Sequence, residues 1–322
     1  MRNANEASCA SASDASAASA NRLHFLTAPL FVLVVACGGS TGGVDQPGGS
    51  TPPPGTPSNN TPATPSGGPT VTDTCNGLDD DGDGRADVGE LAGPCRKACT
   101  ADAIAATAKT LRLPRPDDVT VAKDSGETPE LTSMTTLPSF CTDPPSSSID
   151  VIDGVIDVGC GGVLAVGAQG LSAKSLRVAP GGIVRVTADA QIALTDTLLV
   201  CPSGVVQASA DPVRAAPADV HSLDGRRLYL KARVALVLGA IEARGATVIG
   251  NDDARGGDGG MFDIAVERVL LAGVLDNSAS AKFNHGEKGG DNRIVATKES
   301  FFSGTIKSSG PVYVKMPVCC HN

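Results

Sequence analysis

The sequence predicts a mainly β chain whose second half is a solenoid of short stacked strands; a β-sandwich is the alternative arrangement of the same strands. Three observations lead there. One phrase recurs, a glycine followed by small and β-branched residues: GVLAVG at Gly162, GIVRVTA at Gly182, GVVQASA at Gly204, GAIEARG at Gly239, GVLDNSA at Gly273 and GTIKSSG at Gly304, at intervals of 20, 22, 35, 34 and 31. Between these phrases, runs such as RLYLKARVALVL, MFDIAVERVLLA and IVATKESFFS alternate apolar and polar residues with period two, as half-buried strands do. The composition agrees: aromatics are 3% with no Trp, while Gly 38 and Pro 22 favour turns over long helices. A core built of Val, Ile, Leu and Ala suits thin layers. A coil of three short strands with tight turns needs about 20 residues, and loops such as GNDDARGGDGG and NHGEKGGDN account for the longer intervals.

Taken in chain order, the segments have different physical characters. Residues 1–36 read as a signal peptide, because Leu23 to Ala36 form a mostly apolar run behind Arg22 that is too short for the roughly 20 residues of a spanning helix. Residues 37–72 are almost free of apolar side chains and rich in Gly, Pro, Ser and Thr, so they cannot repay their ordering entropy; a disordered tether is expected. Residues 73–99 carry an acidic loop, residues 100–148 form a bridging segment, and residues 149–322 form the repetitive β domain. In the bridge, Thr100 is an N-cap candidate ahead of the helix-forming ADAIAATAK, which ends near Lys109.

The acidic loop has the spacing D-x-D-x-D-G-x5-E, with Asp79, Asp81, Asp83, Gly84 and Glu90, and Asp87 within it. Alternate oxygens of a tight loop converge on one point, Gly supplies the turn and a terminal Glu binds through both oxygens, which is calcium chemistry. Arg85 would contribute its backbone carbonyl. The expected metal ligands are therefore Asp79, Asp81, Asp83, Arg85, Asp87 and Glu90, and calcium is the expected cofactor. Flanking helices are not expected, since DTCNG precedes the loop and Gly93-Pro94 follow it.

Three stretches resemble known families. LVVAC, Leu33 to Cys37, resembles the lipobox of bacterial lipoproteins; the resemblance implies lipidation of Cys37, a membrane anchor, and export to the outer membrane or cell surface, to which Gly38 is suited. Cys75, Gly77, Asp79, Asp81, Asp83, Gly84 and Asp87 resemble the Asp- and Cys-rich metal-binding motif of MopE-type bacterial surface proteins. Gly82 replaces that motif's second Cys, so Cys75 is expected to pair with Cys95 or Cys99. The repetitive half, Ile149 to Val318, is similar as a pattern to right-handed parallel β-helices of bacterial surface proteins.

Eight cysteines remain after Cys9 and Cys37: Cys75, Cys95, Cys99, Cys141, Cys160, Cys201, Cys319 and Cys320. An even number in an oxidising compartment predicts disulfides, with the connectivity open. Adjacent Cys319 and Cys320 read as crosslinks rather than as a metal tail with His321.

A net charge of -9 excludes nucleic acid and anionic membrane surfaces as electrostatic partners. Metalloprotease, serine-hydrolase and phosphate-loop motifs do not occur, and His221, His285 and His321 have no nucleophile beside them. Asp252, Asp253 and Asp258 beside Arg255 lie in one Gly-rich stretch and read as a turn rather than as catalytic carboxylates. No catalytic residue is assigned. The sequence therefore points to a lipid-anchored, calcium-binding surface scaffold or adhesion protein meeting an extracellular glycan or surface protein. The alternative is a polysaccharide-active β-helix lyase or hydrolase.

Overall fold

The computed structural model describes residue 75 and residues 97–122, 129–145, 149–214, 217, 219–249, 256–280, 288–308 and 312–316. All belong to the second of two compact units, Pro65–Asn322. The chain is mainly β, with an eleven-stranded sheet and a six-stranded sheet. Apart from two antiparallel pairs, every pairing between strands is parallel.

The recurring glycine phrase marks the six-stranded sheet. Its strands are Val163–Val166, Ile183–Val186, Val205–Gln207, Ala240–Glu242, Val274–Asp276 and Thr305–Lys307, each directly after one of the six glycines. Register follows the phrase residue for residue: Val163 faces Ile183, then Val205, Ala240, Val274 and Thr305. Gly273 is required here by close approach, since a Cβ on it would lie 1.9 Å from the Gly239 carbonyl oxygen of the preceding repeat.

The alternating runs build the other sheet in two stacks. Ala190–Leu194 pairs with the first half of the long strand Arg227–Val237, and Thr197–Val200 pairs with its second half. Met261–Leu271 and Asn292–Phe302 continue both stacks, and a register irregularity at Val266/Arg268 accommodates one extra residue in the last strand. Period two is visible in the long strand Arg227–Val237, where Leu228, Leu230 and Ala232 are buried while Arg227, Tyr229 and Lys231 are exposed.

Three inward ladders meet in one core. Val184, Val206, Ile241 and Leu275 come from the six-stranded sheet. Leu176, Leu198, Ala235 and Val269 form a second ladder, and Ile192, Leu230, Ile264 and Ile294 a third. All belong to a single buried apolar cluster. Each fully buried aliphatic side chain contributes roughly 1.5–3 kcal/mol, so many modest residues replace the absent Trp.

The bridging segment lies against the outer face of the eleven-stranded sheet. Thr100 caps the helix Ala101–Ala108, accepting from the Ala103 N–H at 3.3 Å. Beyond it, Leu131 and Cys141 pack with Leu199, Leu236, Leu270 and Phe301 in a second apolar cluster. The Glu299 carboxylate, buried beneath this strap, accepts from the Leu131 N–H at 2.9 Å, the Glu130 N–H at 3.1 Å and Arg268 Nε at 3.1 Å. Arg177 stands 4.7 Å from the Phe140 ring centre, a cation–π contact. Thr120–Val121 and Ile149–Ile152 are the two antiparallel additions, and each closes an open end of a parallel stack.

Candidate functional site

The calcium ligands expected from the sequence, Asp79, Asp81, Asp83, Arg85, Asp87 and Glu90, lie outside the described residues, as do Cys37, Cys95, Cys319 and Cys320. Among the described residues no three His, Cys, Asp or Glu side chains form a group able to hold a metal ion. Disulfides join Cys99 to Cys160 and Cys141 to Cys201, with Cα–Cα separations of 5.9 and 5.3 Å. The first corrects one expectation: Cys99 is spent on the β domain and cannot pair with Cys75, itself disulfide-bonded. Both bridges fasten the strap to the start of the parallel stacks, at turns where the chain leaves a strand.

Of the acidic turn residues, Asp252, Asp253 and Arg255 are outside the described residues, but Asp258 has a clear structural role. Its backbone N–H donates to Asp224 Oδ1 at 2.8 Å, and its own Oδ1 accepts from the Lys288 N–H at 2.8 Å. Asp224 and Asp258 thus each stitch their loop to the next by accepting a backbone N–H. His221 is exposed and lies 2.9 Å from Asp224 Oδ2 through its Nδ1.

A ladder of polar groups lies on the outer face of the six-stranded sheet. Arg185, Gln207, Glu242, Asp276 and Lys307 are mutual register partners on consecutive strands, so one ladder runs cation, amide, two carboxylates, cation. Ion pairs tie Arg185 to Asp211, Glu242 to Arg244 at 3.0 Å and Lys307 to Asp276 at 3.7 Å. Asp276 Oδ1 also accepts from the Ser278 N–H at 3.1 Å and from its hydroxyl at 2.7 Å. Gln207 is 0% exposed, and among the described residues neither its side-chain amide nitrogen nor its oxygen has a hydrogen-bond partner. Burial pushes the Glu242 carboxyl above its ordinary range; Arg244 opposes this, and the charge of Asp276 on the adjacent strand adds to it.

Two carboxylates in register on neighbouring strands, roughly 4.8 Å apart along the stack, can divide acid and base roles when one is held neutral. Neither Glu242 nor Asp276 stands out in the sequence. The available signal was the repeat itself: GAIEARG and GVLDNSA each carry an acid at the fourth position of the phrase, where GIVRVTA carries Arg and GVVQASA carries Gln.

No known protein family, curated protein or solved structure matches this chain.

Proposed function

We propose that this chain is a lipid-anchored, calcium-binding scaffold or adhesion protein of the bacterial cell surface, without catalytic activity, whose repetitive half is a right-handed parallel β-helix. The observation that carries the reading is the residue-for-residue register of the six glycine phrases, in step with two further parallel stacks around one core. A β-sandwich is built from antiparallel sheets, so parallel pairing favours the helical coil. Such a coil offers long, flat side-chain ladders and few deep cavities, a form suited to display and contact.

Anchor and ion complete the proposal. Several acyl chains on Cys37 would hold the protein, each buried methylene contributing about 0.8 kcal/mol, and residues 37–72 would lift the β domain off the membrane. Calcium at Asp79, Asp81, Asp83, Arg85, Asp87 and Glu90 would relieve the repulsion within that loop. Two disulfides support an oxidising compartment. In a Gram-negative host the wild-type chain is expected to fractionate with membranes and Cys37→Ser with the soluble phase; membrane-bound Cys37→Ser refutes the anchor.

A second reading, a surface polysaccharide lyase or hydrolase, is favoured by one observation: Glu242, with its raised proton affinity, beside Asp276. It requires release of unsaturated or reducing ends from acidic polysaccharides and loss of that release in Glu242→Gln. Binding without turnover supports the scaffold.

A further inference from the structure

The chain contains two tyrosines and no tryptophan. Both tyrosines sit in the same local pattern, Leu228-Tyr229-Leu230-Lys231 and Val312-Tyr313-Val314-Lys315, 84 positions apart in sequence. Parallel pairing brings the two copies onto one face. Tyr229 is in register with Asp263, Asp263 with Arg293, and Arg293 with Tyr313. The neighbouring outward ladder runs Lys231, Ala265, Val295, Lys315 in the same register. Two Tyr/Lys pairs therefore face outward three strand steps apart, a span of roughly 14 Å.

The ground between them is open and shaped. Ala193, Ala265 and Val295 are small, and with Lys231, Arg233 and Glu267 they line an open trough of about 640 Å³ that runs across the strands along the Lys231 row, one outward row from Tyr229. Tyr229 is 39% and Tyr313 57% exposed, so both rings are open to solvent.

Charge within the trough is unbalanced. Asp263 is held by Arg293 at 3.3 Å, Glu267 by Lys298 at 3.2 Å, and Arg233 by Asp196 at 2.7 Å. Among the described residues, Lys231 and Lys315 have no carboxylate partner. Two uncompensated ammonium groups mark this face of a chain whose net charge is -9.

We propose that this face binds a linear acidic polysaccharide lying across the strands, with Tyr229 and Tyr313 stacking on sugar faces and Lys231 and Lys315 meeting carboxylates of the sugar units. A repeating ligand suits two identical contacts at a fixed separation. The apolar face and polar tip of Tyr suit a sugar ring, and a compact ammonium suits a carboxylate. The proposal gives the adhesion reading a ligand class, yet it rests on neither the lipid anchor nor the calcium loop.

The test is affinity electrophoresis of the full chain in gels containing polygalacturonate, alginate or hyaluronan, with neutral dextran as control and a chelator present throughout. Retardation by at least one acidic polymer and none by dextran is expected. Tyr229→Ala and Lys231→Glu should each weaken it by roughly 100-fold, because losing one end forfeits bivalent contact; Tyr229→Ala with Tyr313→Ala should abolish it. All four positions are exposed, so a wild-type far-UV spectrum is expected of each variant. Failure of all three acidic polymers to retard the wild type overturns the proposal, as does equal retardation by dextran. Variants that keep both the native spectrum and wild-type retardation overturn it too. Because calcium is chelated, a silent calcium loop leaves this result untouched.

Discussion

Removing the Cys141–Cys201 bridge should loosen the strap from the β domain. The bridge closes a separation of 60 residues, and in the chain-entropy account a loop of that length restricts the unfolded ensemble by about 4 kcal/mol. Both sulfurs are fully buried beside Leu131, Leu199, Leu236 and Phe301, so alanine at both positions avoids placing a hydroxyl in an apolar site. The double variant Cys141→Ala with Cys201→Ala is expected to lose about 3–4 kcal/mol, which at an m-value of 2–3 kcal/mol/M lowers the urea midpoint by about 1–2 M. The Cys99–Cys160 loop overlaps this one in sequence, so removing it as well should add less than the same amount again. Urea unfolding followed by far-UV circular dichroism, with and without reductant, measures the effect. Reduced wild type should resemble the variants, and a midpoint insensitive both to reduction and to the substitution would refute the reasoning.

Calorimetry with calcium should give a Kd on the order of 10⁻⁴ to 10⁻³ M, abolished in Asp81→Asn; absence of calcium heat in the oxidised wild type removes the loop as a site. Gly273→Ala should destabilise by roughly 3 kcal/mol, since its Cβ meets the Gly239 carbonyl at 1.9 Å; a thermal melt equal to wild type contradicts that close approach. Glu242 gains proton affinity on folding, so the native state binds the proton more tightly than the unfolded chain does. Its favourable contribution is complete below the unfolded value of 4.5 and is lost as pH rises through the raised folded value. Glu242→Gln should therefore melt above wild type at neutral pH and converge with it in acid, and a constant difference across the range contradicts the shift.

The repeat was legible because its physical cause is local. Stacked backbones leave room only for glycine at Gly239 and Gly273, and the inward Val206, Ile241 and Leu275 must be apolar, so spacing and register can both be read from the phrase. The longer intervals were also legible as inserted loops. What the pattern did not reveal was that the run from Arg227 to Val237 serves two stacks at once: the inward set shifts by one residue between Ala232 and Ala235, and the shift is hidden because Val234 and Leu236 on the other face are apolar as well.

The strap was hidden for a different reason. Residues 97–122 and 129–145 have little regular structure, and their attachment depends on long-range partners: Cys99 with Cys160, Cys141 with Cys201, and Glu299 with the Leu131 N–H. Polar groups in the ladder from Arg185 to Lys307 are unremarkable singly and become a cluster only once the strands are aligned. The same holds for the Tyr229 and Tyr313 pairs, whose shared face follows from register and not from proximity in sequence.

The most direct test of the account is mass spectrometry of the N-terminal peptide of the chain recovered from Gram-negative membranes. The account predicts a peptide beginning at Cys37 and carrying acyl chains, with residues 1–36 gone. Recovery of an unprocessed chain beginning at Met1, without lipid and with its cysteines reduced, would contradict it.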